Sequence, residues 1–111
     1  MSAGNARRRA LLIQRLAASH CGQARGIRAR DLARVLGLRE RVLRQLVSDA
    51  REDGVAIAGT PESGYFIAET AAELEACCHF LRARALHSLH IEAQLRRIPL
   101  ADLLGQLRLP T

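Results

Sequence analysis

The chain has no lysine and no tryptophan, and it holds one tyrosine and two phenylalanines among 111 residues. A core so poor in aromatics must be built from Leu, Ile, Val and Ala, which suits packed helices. The same scarcity argues against single-strand binding, where successive bases stack on aromatic rings. Cysteine is sparse and odd in number: Cys21, Cys77 and Cys78, two of them adjacent. That is no disulfide framework, and it fits a reducing compartment. Uninterrupted runs of clearly apolar residues reach only about four, so neither a signal peptide nor a membrane span is expected. The expected location is the cytoplasm.

Catalytic and metal-binding patterns are missing too. There is no Gly-rich phosphate loop and no carboxylate pair in a plausible pocket. His20 and Cys21 are adjacent, but nothing in the pattern orients them as nucleophile and base. Cys77, Cys78, His79, His87 and His90 invite a zinc reading. On one helix, however, Cys78 with His79 stand about two turns from His87 and His90, too far for one tetrahedral site. Packed thiols account for the cysteines. No enzyme, no metal and no cofactor is expected.

What is present begins with charge. The net charge is +6, and all 17 cations are arginine. Residues 1–54 hold twelve Arg against five acids, or +7; residues 55–111 hold five against six, or −1. The excess lies wholly in the first half, as expected of a surface that meets a polyanion. Apolar residues make up 49%, so the chain should fold, and its length allows one domain with a modest core.

Residues 1–5 read as a frayed start. From Ala6 to about Ser19 the pattern is helical, with Leu12, Ile13, Leu16 and Ala17 on one face behind the cluster Arg7-Arg8-Arg9. A loop over 20–26 leads to a very short strand, Ile27-Arg28-Ala29. A second helix is predicted from about Arg30 to Leu36, ended by Gly37. A third runs from about Arg39 to Glu52, ended by Gly54, with Val42 or Leu43, Leu46 and Val47 inward. Val55–Ala58 and Tyr65–Ala68 flank a Gly/Pro/Ser loop and predict a hairpin. Thr70 and Glu73 have capping-box spacing and open a long helix reaching to Ile98, where Pro99 stops it. Residues 100–107 predict a last short helix.

The strongest constellation is Ala33, then Gly37 in a turn, then Leu43 and Leu46. A small residue lets two helices press together, a glycine permits the tight turn, and a branched apolar residue locks the second helix on the first. This is helix-turn-helix spacing. Over residues 7–68 the chain resembles the winged helix-turn-helix domains of bacterial repressors and phage-encoded DNA-binding proteins. The resemblance rests on Leu32-Ala33…Leu36-Gly37-Leu38, on the stretch from Arg44-Gln45-Leu46-Val47 to Arg51-Glu52-Asp53-Gly54, and on Gly64-Tyr65-Phe66-Ile67. It implies a mainly α (α+β) fold with a three-helix core and a β-hairpin wing. A long C-terminal helix and a short terminal one would complete it. It also implies that the third helix enters the major groove. The boundaries are 6–68 for the DNA-binding domain and 69–111 for a C-terminal helical segment.

The third helix suits that role. Its outward face carries Arg39, Glu40, Arg41, Arg44, Gln45 and Ser48. Arginine pairs with guanine and glutamine with adenine, while Glu40 can accept from cytosine. Arg41, Arg44 and Gln45 are therefore assigned to base edges, and Arg39 and Ser48 to phosphate. Arg28 and Arg30, with Arg34, flank the second helix, whose N-terminal amides suit a phosphate. Two positions depart from the pattern of such domains. Arg39 stands where a Ser or Thr cap is usual, and the wing 59–64 holds Glu62 and no cation. The wing is then structural or meets a protein.

On the long helix, Leu74, Cys78, Leu81, Ala85 and Leu89 form one apolar stripe, which Phe80, Leu86, Ala93 and Ile98 broaden. With Leu100, Leu103, Leu104, Leu107 and Leu109 this is more apolar surface than a monomer leaves bare. The expectation is a homodimer made through residues 70–109. The function expected is sequence-specific binding of double-stranded DNA by a transcriptional regulator, a repressor of bacterial, phage or prophage origin, at the nucleoid when bound. Two rivals stand beside it. One is a protein-interaction module, an adaptor or inhibitor encoded by a mobile element; the other is a DNA-replication or packaging accessory.

Overall fold

A computed structural model describes residues 3–107. Its elements in order are α1 (Ala3–Ser19), a 3₁₀ turn (Gln23–Arg25), α2 (Ala29–Leu36), α3 (Glu40–Glu52), β1 (Ile57–Thr60), β2 (Gly64–Ile67), α4 (Ala71–Arg96) and α5 (Leu100–Gln106). The fold is mainly helical α+β, with one two-stranded antiparallel sheet. Two compact units divide between Cys77 and Cys78, inside α4.

In the first unit α1, α2 and α3 share one core. Leu12 and Leu16 come from α1, Leu32 and Ala33 from α2, and Leu43, Leu46, Val47 and Ala50 from α3. Ile57 of β1 joins them. The 3.6-residue period places these groups on the inner face of each helix. Ala17, expected inward, is exposed, while Leu12 and Leu16 are fully buried and Ile13 is half-buried. Leu43 rather than Val42 takes the buried position on α3.

Gly37 ends α2 in the left-handed conformation at φ 67° and ψ 34°, and the Leu38 amide donates to the Ala33 carbonyl at 2.8 Å. The turn between α2 and α3 is thereby closed by main-chain bonds that a side chain at residue 37 would strain. Helix α1 starts at Ala3, so the frayed start does not extend over residues 3–5; residues 1–2 lie outside the described residues.

The strands pair in register Ile57 with Ile67, Ala58 with Phe66, Gly59 with Tyr65 and Thr60 with Gly64. They begin one or two residues away from the sequence expectation. Val55 is still part of the turn after α3, its amide donating to the Ala50 carbonyl at 3.0 Å. At the other end the Thr60 hydroxyl accepts from the Ser63 amide at 2.9 Å and pulls Gly59 and Thr60 into the ladder. The outer edge of β2 is covered as well. Ile27 and Tyr65 exchange main-chain bonds of 2.9 and 2.7 Å, and Gly22 donates to the Ile67 carbonyl at 2.8 Å. The expected strand at 27–29 is thus a single bridge at Ile27, because Ala29 already belongs to α2. Gly64, at φ 75°, has the Ile27 carbonyl where a Cβ would stand.

The hairpin is covered on both faces. Ile57 lies against the three-helix core, while Ala58 and Phe66 are buried with Cys77 on the first turns of α4. Glu73 fixes that start. Its amide donates to the Thr70 hydroxyl at 3.1 Å, the capping bond expected. Its carboxylate does not return to Thr70; it accepts from the amides of Glu69 and Gln23, both at 2.8 Å. The Gln23 amide first, then that of Glu69, hold the Glu73 carboxyl below its ordinary value of 4.5.

In the second unit α4 runs to Arg96, two residues short of the expected Ile98. Arg97 adopts a left-handed φ of 57° and the Ile98 amide donates back to the Ala93 carbonyl at 3.1 Å. Pro99 is then the N-terminal cap residue of α5, in extended geometry. Ala93 and Leu103 are buried in this unit. Leu109 lies outside the described residues.

Candidate nucleic-acid interface

Helix α3 separates its two faces sharply. Its inner side chains Leu43, Leu46, Val47 and Ala50 are at most 2% exposed, which fixes the rotation of the helix and turns Arg39, Arg41, Arg44, Gln45 and Ser48 to solvent. Four of the five residues assigned to this helix, Arg41, Arg44, Gln45 and Ser48, share one exposed face; Arg39 is exposed too, but at the N-terminal cap, in line with the inner side chains. Arg39 is the N-terminal cap residue and makes no side-chain capping bond, as its lack of an acceptor requires.

Two of the five are held by neighbours one turn away. The Arg44 guanidinium donates to Glu40 at 3.2 Å, and the Gln45 amide donates to Asp49 at 2.9 Å. Exposed pairs of this kind are worth only about 0.3–0.5 kcal/mol, so a ligand offering better acceptors displaces them easily. Arg41 and Gln45 also line a shallow cleft with Arg8 of α1, floored by Val42 and Leu46 and closed by Asp49.

Arg28 caps α2 in extended geometry without a side-chain bond, and Arg30 follows in its first turn; both are exposed. The first amides of α2 thus lack a side-chain acceptor from the cap residue, beside two cations. Arg34 pairs with Asp31 at 3.2 Å.

Not every arginine of the first half is available. Arg9 forms an ion pair with Asp53 and is only 17% exposed, which ties α1 to the end of α3. Arg51 donates to the Ile57 carbonyl at 2.7 Å and lies 6.0 Å over the Tyr65 ring, with Cys77 Sγ at 4.0 Å. These two are structural cations, and sequence reasoning did not separate them from the rest. Their partners lie on other elements, so no local spacing marks them. The hairpin tip carries exposed Pro61 and Glu62. Among the described residues no cluster of three His, Cys, Asp or Glu side chains could hold a metal ion, and no helix is long and apolar enough to cross a membrane. No family model, curated protein or solved structure matches the chain.

Proposed function

We propose that the chain is a winged helix-turn-helix protein that binds double-stranded DNA, with α3 as the helix that reads the major groove and transcriptional regulation as its purpose. One observation carries the reading. Burial of Leu43, Leu46, Val47 and Ala50 leaves Arg41, Arg44, Gln45 and Ser48 exposed together on the opposite face, with Arg39 exposed at the N-terminal end of the helix. Arg41, Arg44 and Gln45 supply the forked donors and amide that base edges accept, and Arg39 and Ser48 reach phosphate. The open N-terminus of α2, with Arg28 and Arg30, offers a second phosphate contact. The hairpin β1–β2 occupies the wing position, and with Glu62 and no cation at its tip it braces the core rather than gripping the backbone.

The test is a fluorescence titration of a random duplex at low and high salt, followed by selection from a random-sequence library. The expected result is binding whose logarithm falls linearly with log salt, and a preferred site after selection. Exposed Glu62 at the wing tip supports the rival, a protein-interaction module. Failure to bind any duplex at roughly 50 mM salt, where phosphate contacts are strongest, would replace the first reading with this one. Salt-dependent binding with no preferred site would make the protein a replication or packaging accessory instead.

A further inference from the structure

Arg7, Arg8 and Arg9 follow one another on α1, where each residue is turned about 100° from the last, and the structure gives each a different setting. Arg9 is committed to Asp53 at the end of α3 and is only 17% exposed. Arg7 is exposed and takes no part in the cleft between α1 and α3. Arg8 is exposed too, and it lines that cleft beside Arg41 and Gln45, which also belong to the outward face of α3. Among the described residues neither Arg8 nor Arg41 has a carboxylate partner. Arg8 donates to the Asn5 side-chain carbonyl at 3.5 Å, longer than the usual range of such a bond. Asp49 is the acid in the cleft, and its carboxylate accepts from the Gln45 amide at 2.9 Å. Two cations that share a cleft without a counter-ion repel each other, and an anion seated beside both relieves the repulsion.

We infer that Arg8 grips a backbone phosphate of the duplex beside the bases that α3 reads, so that the binding surface crosses the cleft onto α1. The inference rests on α3 being the groove-reading helix and adds a contact made from a second helix. A guanidinium presents paired donors in a fixed fork that matches phosphate oxygens. A phosphate held from α1 also sets the register of α3 on the base pairs, since backbone contacts position and base contacts specify. The three neighbouring arginines thereby divide their tasks. Arg9 braces α1 against α3, Arg8 holds phosphate, and Arg7 contributes diffuse attraction alone. Asp49 opposes the same phosphate, and its charge limits how tightly the cleft holds it.

Titration of the full chain with a random duplex at several salt concentrations tests it, with a circular dichroism melt of each variant to separate lost contact from lost fold. Arg8→Ala should weaken binding about ten-fold at roughly 50 mM salt and lower the salt slope by about one. The base preference found by selection should stay as it is. Arg8→Lys keeps the charge without the fork, so it should restore the slope and only part of the affinity. Arg7→Ala should change the slope much less than Arg8→Ala. Asp49→Asn keeps an oxygen for the Gln45 amide and removes the opposing charge. It should strengthen binding roughly two-fold or more at low salt, an effect that fades as salt is added.

An unchanged slope in Arg8→Ala, or equal losses in Arg7→Ala and Arg8→Ala, overturns the phosphate contact and leaves the reading of α3 intact. A shifted base preference in Arg8→Ala overturns it too, because the side chain would then touch a base. So does weaker binding by Asp49→Asn at an unchanged melting temperature. Failure of the unaltered chain to bind any duplex overturns this contact and the α3 reading together, and that result is distinct because it appears before any variant is made.

Discussion

The unit that ends at Cys77 and the unit that begins at Cys78 use comparable apolar content in opposite ways. Among the described residues, twelve of the fourteen buried apolar side chains belong to the first, and only Ala93 and Leu103 to the second. In the first unit three helices and a hairpin offer each other complementary faces, so each apolar stripe finds a cover. In the second, apolar side chains such as Phe80, Leu86, Ile91 and Leu95 are scattered round α4 and remain 41–81% exposed. Apolar content alone does not make a core; a second element at the right distance does. A helix without one has little to hold it beyond its own hydrogen bonds, which are marginal in water. Charge does not divide the same way: residues 1–77 hold twelve Arg against nine acids and residues 78–111 five against two, a net +3 in each, and the arginine excess is confined to residues 1–54 within the first unit.

The sharpest way to break this contrast is to remove one leucine from each unit. Leu46→Ala, at a position 2% exposed, should destabilise the fold by about 2–5 kcal/mol. Leu95→Ala, at 81% exposure, should change stability by no more than about 0.5 kcal/mol. Urea unfolding followed by circular dichroism measures both, and comparable losses would erase the distinction.

A second pair sharpens the account of the first unit. Gly37 has φ 67° but open space where a side-chain methyl would stand, with nothing within 4 Å, whereas Gly64 has φ 75° and the Ile27 carbonyl in the way. Gly37→Ala should cost about 1–2 kcal/mol through its backbone conformation alone. Gly64→Ala should cost more and leave α3 undisturbed. Hydrogen exchange should show the Ile27 and Tyr65 amides losing protection in Gly64→Ala only.

For the exposed face the expected effects fall on binding. Arg44→Ala should weaken a selected site by about 1–3 kcal/mol and relax the base preference at one position. Arg28→Ala should weaken selected and random duplexes alike and lower the salt slope by about one. Competition titrations at several salt concentrations separate the two, and identical behaviour of both variants would show that α3 does not read bases.

The smallest effect concerns Glu73. Its carboxyl is held below 4.5 by the amides it accepts from, so its contribution is present above that pH and disappears as pH falls through its depressed folded value. Glu73→Gln should lower the melting temperature slightly at pH 7, and the gap from the native chain should narrow towards pH 3. A gap that is constant over that range would mean the charge does not matter.

Much of the first unit was legible because its signals are local. Gly37 and Gly54 mark two helix ends, the spacing of Ala33, Gly37, Leu43 and Leu46 sets the turn, and Thr70 opens α4. The exposed face of α3 followed from the same periodicity. What was not legible depends on pairing between distant segments. Glu73 reaches Gln23, 50 residues earlier, and Arg51 finds the Ile57 carbonyl and the Tyr65 ring. Ala17 fits an inward stripe by spacing but ends exposed, because spacing fixes a face and not how far the neighbouring elements extend along it. The strand limits moved for a similar reason. Val55 has strand character by composition, yet the bond to Ala50 keeps it in the preceding turn.

The covering of Phe66 and Ala58 by Cys77 bears on where this polypeptide can be shortened. A chain cut after Ala68, at the end of the hairpin, would lose the Glu73 carboxylate from the Gln23 amide and bare a phenylalanine beside a sheet only two strands wide. Such a fragment should be prone to self-association through that newly opened side. A chain carried on past Cys77 keeps the lid in place, so the first turns of α4 belong to the smallest piece that can remain soluble.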